Sequence, residues 1–206
     1  MVTKGLHVRL QARHDQDEEV ERFLRSALPL VADEPGTTAW FALRFGRHEY
    51  GIVDFFPDEA ARQAHLTGPV ARSLTERGEE LFAETPQIDE LDVLAAKLPA
   101  AGATAGAVTK GLLLLLPAKA GHESEVEEFL RGARSLVEEE PGTTAWFAIH
   151  AADGSYGIFD VFPDNGARFA HLTGHVPREL AKHATKLLGG LPDMDMLNVL
   201  THKLPG

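Results

Sequence analysis

The chain has 206 residues, 44% hydrophobic and 25% charged, a composition that builds a packed core and excludes a disordered chain. With 20 Lys and Arg against 31 Asp and Glu, its formal charge of −11 repels phosphate backbones and anionic membrane surfaces, so neither nucleic acid nor a membrane is an expected partner. Having no cysteine excludes disulfides, thiolate metal sites, Fe–S clusters and cysteine nucleophiles.

The first residues hold no apolar signal-peptide segment, and the expected compartment is the cytoplasm. The first expected strand runs from Lys4 to Arg13, with Leu6, Val8 and Leu10 alternating against His7, Arg9 and Gln11. A helix over Asp17 to Ala32 follows, because Val20, Phe23, Leu24, Ala27 and Val31 recur at helical spacing. Asp15 is its candidate N-cap, and Pro29 is expected to bend its last turn. Glu34-Pro35-Gly36 then turns the chain. Two strands, Thr37 to Phe45 and Glu49 to Phe56, flank Gly46-Arg47-His48 at hairpin spacing. Asp58 can cap a helix that ends at Leu66. Gly68-Pro69 breaks it before a second helical stretch from Val70 to about Ala83. The last strand, Asp89 to Leu98, is closed by Pro99.

Small residues from Ala100 to Ala107 read as a flexible tether. The pattern then begins again. Offset by 106 positions, Glu34 to Ala42 matches Glu140 to Ala148 at nine consecutive residues, and Val2 to Leu6, His65 to Gly68 and Lys97 to Pro99 recur as Val108 to Leu112, His171 to Gly174 and Lys203 to Pro205. The expected domains are therefore 1–99, a linker 100–107, and 108–206. Each copy reads β-α-β-β-α-β, which is ferredoxin-like. Leu112 to Leu116 is apolar on both faces, as in a strand covered on both sides, yet too short to span a bilayer. The expected fold class is α+β: two ferredoxin-like repeats packed sheet to sheet as a pseudo-dimeric α/β barrel within one chain, with no need of a second molecule.

Several residues are candidates for chemistry, each with a structural alternative. Trp40 and Trp146, one per copy, could wall a pocket for a planar substrate or pack the core. Tyr50 and Asp54, like Tyr156 and Asp160, share one strand face; an Asp among Ile52, Val53, Phe55 and Phe56 needs a partner, and Arg44 or Arg62 could supply it. If Asp54 lines a cavity instead, it can accept a proton from a substrate hydroxyl. His65 and His171 follow Arg62 and Arg168 by three residues on one helix face, and could serve as base or hydrogen-bond donor, or bridge the break at Gly68. The remaining histidines show no metal-ligand spacing, and no phosphate-binding loop, dinucleotide fingerprint or nucleophile elbow is present.

The Glu34-Pro35-Gly36 turn leading into the Trp40 strand, the Asp58-Glu59-Ala60-Ala61 helix start and Ala64-His65-Leu66 together resemble the antibiotic biosynthesis monooxygenase family of dimeric α/β barrels. The resemblance covers each copy. It implies a cofactor-independent monooxygenase acting with O2 on a small hydroxylated aromatic or quinol-type substrate, with haem as an alternative in which the His is an axial ligand. It also implies His65, His171, Asp54 and Asp160 as catalytic residues, and Trp40, Trp146, Tyr50, Tyr156, Arg62 and Arg168 as substrate-binding ones. Members commonly carry Glu-x-Trp near the end of the third strand, where this chain has Asp54-Phe55-Phe56 and Asp160-Val161-Phe162. The alternative is a non-catalytic small-molecule-binding or stress-associated barrel. The copies also differ: His7, Arg9, Arg44 and Gln63 become Leu113, Leu115, His150 and Phe169.

Overall fold

The structure, a computed structural model, describes residues 1–100 and 106–205, so most of the expected linker, residues 101–105, lies outside the described residues. The first repeat contains β1 (Lys4–Gln11), α1 (Asp17–Ser26), α2 (Leu28–Ala32), β2 (Ala39–Arg44), β3 (Glu49–Phe56), α3 (Glu59–Leu66), α4 (Pro69–Leu81) and β4 (Gln87–Lys97). The second contains β5 (Lys110–Leu116), α5 (Glu123–Glu138), β6 (Ala145–Ala151), β7 (Tyr156–Phe162), α6 (Asn165–Leu172), α7 (His175–Leu187) and β8 (Asp193–Lys203).

The long helix expected in the first repeat is two helices. Pro29 sits in the first turn of α2, where a missing N–H costs nothing, but it cannot continue α1. Ser135 occupies the equivalent place in the second repeat, and α5 runs through it unbroken. Asp15 does not cap α1: it adopts a left-handed φ of 66°, and Gln16 stands at the N-cap without a side-chain bond. Asp58 does cap α3, accepting from the Ala61 N–H at 2.9 Å, and Asp164 does the same for α6 through Ala167. The β2–β3 turn needs one left-handed residue, His48 at φ 62°, whose backbone N–H donates to Asp17 Oδ1 at 3.1 Å; the second repeat places Gly154 there.

The chain divides into two compact units that do not coincide with the two repeats. Unit 1 is Met1–Leu91 with Leu197–Pro205, and unit 2 contains Asp92–Met196. In unit 1, β3 is antiparallel to β1 and β2, with Asp54 opposite Leu6 on one side and Trp40 on the other. β2 in turn pairs with the end of β8, Trp40 opposite Lys203. Unit 2 repeats the pattern around β7, with Asp160 opposite Leu112 and Trp146. The hydrogen-bonded order β1-β3-β2-β8-β5-β7-β6-β4 closes on itself, the order of a pseudo-dimeric α/β barrel.

Each unit buries one helix-facing core. In unit 1, Val20, Leu24 and Val31 from the first helical segments and Val70 and Leu74 from α4 pack on Val8, Trp40, Ala42 and Ile52, and Leu200 of β8 joins them. In unit 2 the corresponding cluster includes Val126, Leu130, Val176, Leu180, Trp146 and Ile158, joined by Leu94 and Ala95 of β4. A repeat thus closes its core with the last strand of its sister.

Candidate active site

Three segments of unit 1 converge on His65. The Glu34-Pro35-Gly36 turn ends the helical segment, β3 carries Asp54, and α3 carries His65 in its last turn. A Cβ on Gly36 would come within 3.1 Å of Ala61 on α3, so glycine lets the turn lie close against that helix. Gly68, where α3 breaks, is similarly confined: a Cβ there would lie 3.0 Å from Glu34 Oε1 and from the His65 carbonyl. These contacts put the Glu34 carboxylate beside the ring. His65 Nδ1 lies 2.6 Å from Glu34 Oε2, and Thr37 Oγ1 donates to the same oxygen at 2.7 Å. On the other side, Nε2 lies 3.0 Å from Asp54 Oδ2, within ion-pair range.

The partner of Asp54 is therefore His65, not Arg44 or Arg62. Arg44 pairs with Glu21 at 2.9 Å, and Arg62 with Glu59 and Glu90 at 2.5 and 2.8 Å. Burial alone would discharge His65, but Asp54 and then Glu34 outweigh it and raise its pKa to about 9. Burial pushes the Asp54 carboxyl above the usual carboxylate range, against the opposing pull of His65. At neutral pH the ring is thus an imidazolium, a donor and a positive charge rather than a base. The Asp54 carboxylate is fully buried, and the pull of the His65 ring and the Leu6 backbone N–H only partly opposes the effect of that burial.

The same cluster recurs in unit 2. His171 Nδ1 lies 2.6 Å from Glu140 Oε2 and Nε2 3.0 Å from Asp160 Oδ2, with Thr143 Oγ1 donating to Glu140 at 2.9 Å. Here burial is again outweighed, by Asp160 and Glu140, and the His171 pKa rises to about 10. Because both rings are more basic folded than at their ordinary 6.5, the stability they confer is complete below that value and is lost as pH rises through about 9 and 10. Thermal unfolding followed from pH 6 to pH 10 should show a falling midpoint at the alkaline end of that window. A midpoint flat across it would mean that the rings are not held as cations.

A cavity of about 440 Å³ in unit 1 reaches this cluster. Its walls are apolar, with Leu6, Val8 and Ile52 from the sheet and Val70, Leu74 and Phe82 from the helical side, and both Asp54 and His65 line it. The charged residues Arg13, Glu79 and Glu84 that also line it are exposed, which marks its open side. The other residues expected to contact substrate are placed differently. Trp40 is fully buried in the apolar core, its indole N–H without a hydrogen-bond partner. Tyr50 donates to Asp17 Oδ1 at 2.9 Å. Neither they nor Arg62 is among the residues that line the cavity. In unit 2, Trp146 is equally buried, Tyr156 stacks on His150 at 4.5 Å, and Arg168 donates to the Gly111 carbonyl at 3.1 Å and to Asn165 Oδ1 at 2.9 Å.

No family model matches the chain, and no curated protein does. Solved structures do. A candidate monooxygenase from Fusobacterium nucleatum aligns over 100% of this chain and 95% of its own, with a TM-score of 0.85 at 15% identity. A Listeria monocytogenes ferredoxin-fold protein, described as related to antibiotic biosynthesis monooxygenases, aligns over 97% of this chain and 95% of its own, with a TM-score of 0.54 at 13% identity. The chain has the fold of the antibiotic biosynthesis monooxygenases. A Nitrosomonas europaea protein of unknown function is 49% identical over 48% of this chain and 97% of its own, with a TM-score of 0.48. Within the monooxygenase fold, Glu34 and Thr37 are the site residues that sequence reasoning passed over. Their signal lay in the nine-residue identity between the repeats, which includes both. Among the described residues no helix is long and apolar enough to cross a membrane, and no group of three or more His, Asp or Glu could hold a metal ion.

Proposed function

We propose that the chain is a cofactor-independent monooxygenase of small hydroxylated aromatic or quinol-type molecules, with O2 as co-substrate. The observation that carries this reading is a fully buried carboxylate, Asp54, beside the His65 ring in the wall of a cavity whose sheet and helix faces are apolar. Such a group is satisfied by a ligand that brings a hydroxyl into an apolar enclosure. Asp54 takes the hydroxyl proton, and the adjacent imidazolium of His65 stabilises the anion left behind. That electron-rich anion reduces O2. For an anthrone-like substrate the balance is one CH2 and one O2 giving one C=O and one H2O. A haem reading fits the residues poorly, because each ring nitrogen of His65 faces a carboxylate and none is free as an axial ligand.

Oxygen uptake with a panel of quinols and anthrones tests the proposal. Turnover by the native chain should fall by about 10²–10⁴-fold when Asp54→Asn and Asp160→Asn are combined, the range expected for loss of a general base. Absence of uptake across the panel, or an unchanged kcat in the double variant, would sink it. The second reading, binding without catalysis, draws on the way the Glu34–His65–Asp54 group also ties a turn, a helix and a strand together. Ligand binding without oxygen consumption would be its signature.

A further inference from the structure

The Lys-Leu-Pro motif that closes each repeat has no place in the chemistry above, yet the structure puts each lysine at the back of a site. Lys203 Nζ donates to the carbonyls of Val31 at 2.8 Å and Glu34 at 2.7 Å. Val31 lies in the last turn of α2, its carbonyl also accepting from the Glu34 backbone N–H at 3.1 Å, and Glu34 supplies the carboxylate held against His65. Lys97 does the same in unit 2, donating to the carbonyls of Val137 at 2.9 Å and Glu140 at 2.6 Å. Strand pairing fixes where Lys203 stands, since it lies opposite Trp40 in the β2–β8 register.

The assignment is crossed. Lys203 belongs to the second repeat by sequence but to unit 1 in space, and Lys97 belongs to the first repeat but to unit 2. We infer that Lys203 and Lys97 are positioning residues that act across the repeats, each pinning the Glu-Pro-Gly turn whose glutamate holds the imidazolium of the other repeat's site. This rests on Glu34–His65–Asp54 and its counterpart as the working groups, and concerns how they are held rather than what they turn over. A backbone carbonyl gripped by an ammonium cannot rotate freely, and rotation about that residue would carry the carboxylate away from Nδ1. Each site is therefore incomplete without a residue encoded in the other repeat.

The test needs no substrate. In the full-length, nitrogen-labelled chain, exchange of the imidazole N–H protons of His65 and His171 with water is followed by NMR for native protein, Lys203→Met and Lys97→Met. Losing a charge-assisted hydrogen bond to the turn should speed exchange by about tenfold or more. In Lys203→Met this should appear at His65 and leave His171 unchanged, and in Lys97→Met the reverse. Equal acceleration of both rings in either variant would mean general loosening and would overturn the inference. So would acceleration at the histidine of the same repeat, or no change at all. Should a methionine variant fail to fold, Lys203→Gln and Lys97→Gln, which keep an uncharged donor group, are read for the same crossed pattern. Lys203→Arg, which restores a cation with several donors, should return His65 exchange toward the native rate. Absence of turnover in the oxygen-uptake panel would count against the proposed reaction while leaving this result intact.

Discussion

Replacing His65 with alanine is expected to destabilise the chain by about 3–5 kcal/mol, the range for removing one partner of a buried ion pair. The cost arises from what remains: Asp54 fully buried and Glu34 largely so, two carboxylates facing each other with their shared cation gone. For a chain of this size the thermal midpoint should drop by roughly 6–20 °C. Adding Asp54→Asn should recover part of the loss, because a neutral amide in that position no longer demands a counter-charge. A drop equivalent to less than about 1 kcal/mol, or no recovery in the double variant, would show that the cluster is not an ion triplet. His171→Ala should behave alike, since its distances to Glu140 and Asp160 are the same 2.6 and 3.0 Å.

A fragment ending at Pro99 should be unable to fold as a monomer. Unit 1 draws Leu197–Pro205 from the second repeat, and without that segment β2 loses its β8 partner, the core loses Leu200, and the Glu34 turn loses Lys203. The fragment would still carry its own β4 with the matching Lys97-Leu98-Pro99, so two copies could complete each other. Sedimentation should show a dimer whose unfolding midpoint rises with protein concentration, whereas the whole chain should show no such dependence. A folded, monomeric fragment with a native-like melt would contradict the exchange of strands.

Much of this architecture was legible in the residues. The 106-residue offset predicted the duplication, alternation predicted the strands and helical spacing all the helices but the split of the first, and Asp58 is readable as a cap because its carboxylate and the N–H that donates to it are three residues apart. Local chemistry is what a sequence displays best. The break at Pro29 was underestimated for the opposite reason: a proline disrupts one turn, but whether the chain bends or restarts depends on the packing that receives it. The residues around Asp54 show that it needs a partner, and charge alone points to Arg44 or Arg62. The groups that close on it, His65 and through it Glu34, lie 11 and 20 positions away and meet only because α3 folds back over β3. Trp40 reads as a pocket wall or as core, with core packing favoured by residue type, and its full burial in the helix-facing core agrees with the second reading. Strand exchange was hidden in principle. β4 and β8 carry the same closing motif at the same repeat position, so nothing in their composition tells one sheet from the other as a destination.

That exchange also constrains how the two halves can diverge. A duplicated domain ordinarily frees one copy to drift while the other keeps the original task. Here a change in the final strand of one repeat is felt at the site of its sister, so selection on either site reads both halves of the gene. Positions such as Gln63 and Phe169, on α3 and α6, can part company freely, and they have. Lys97 and Lys203 have not, and each is accountable to the half of the chain that does not encode it.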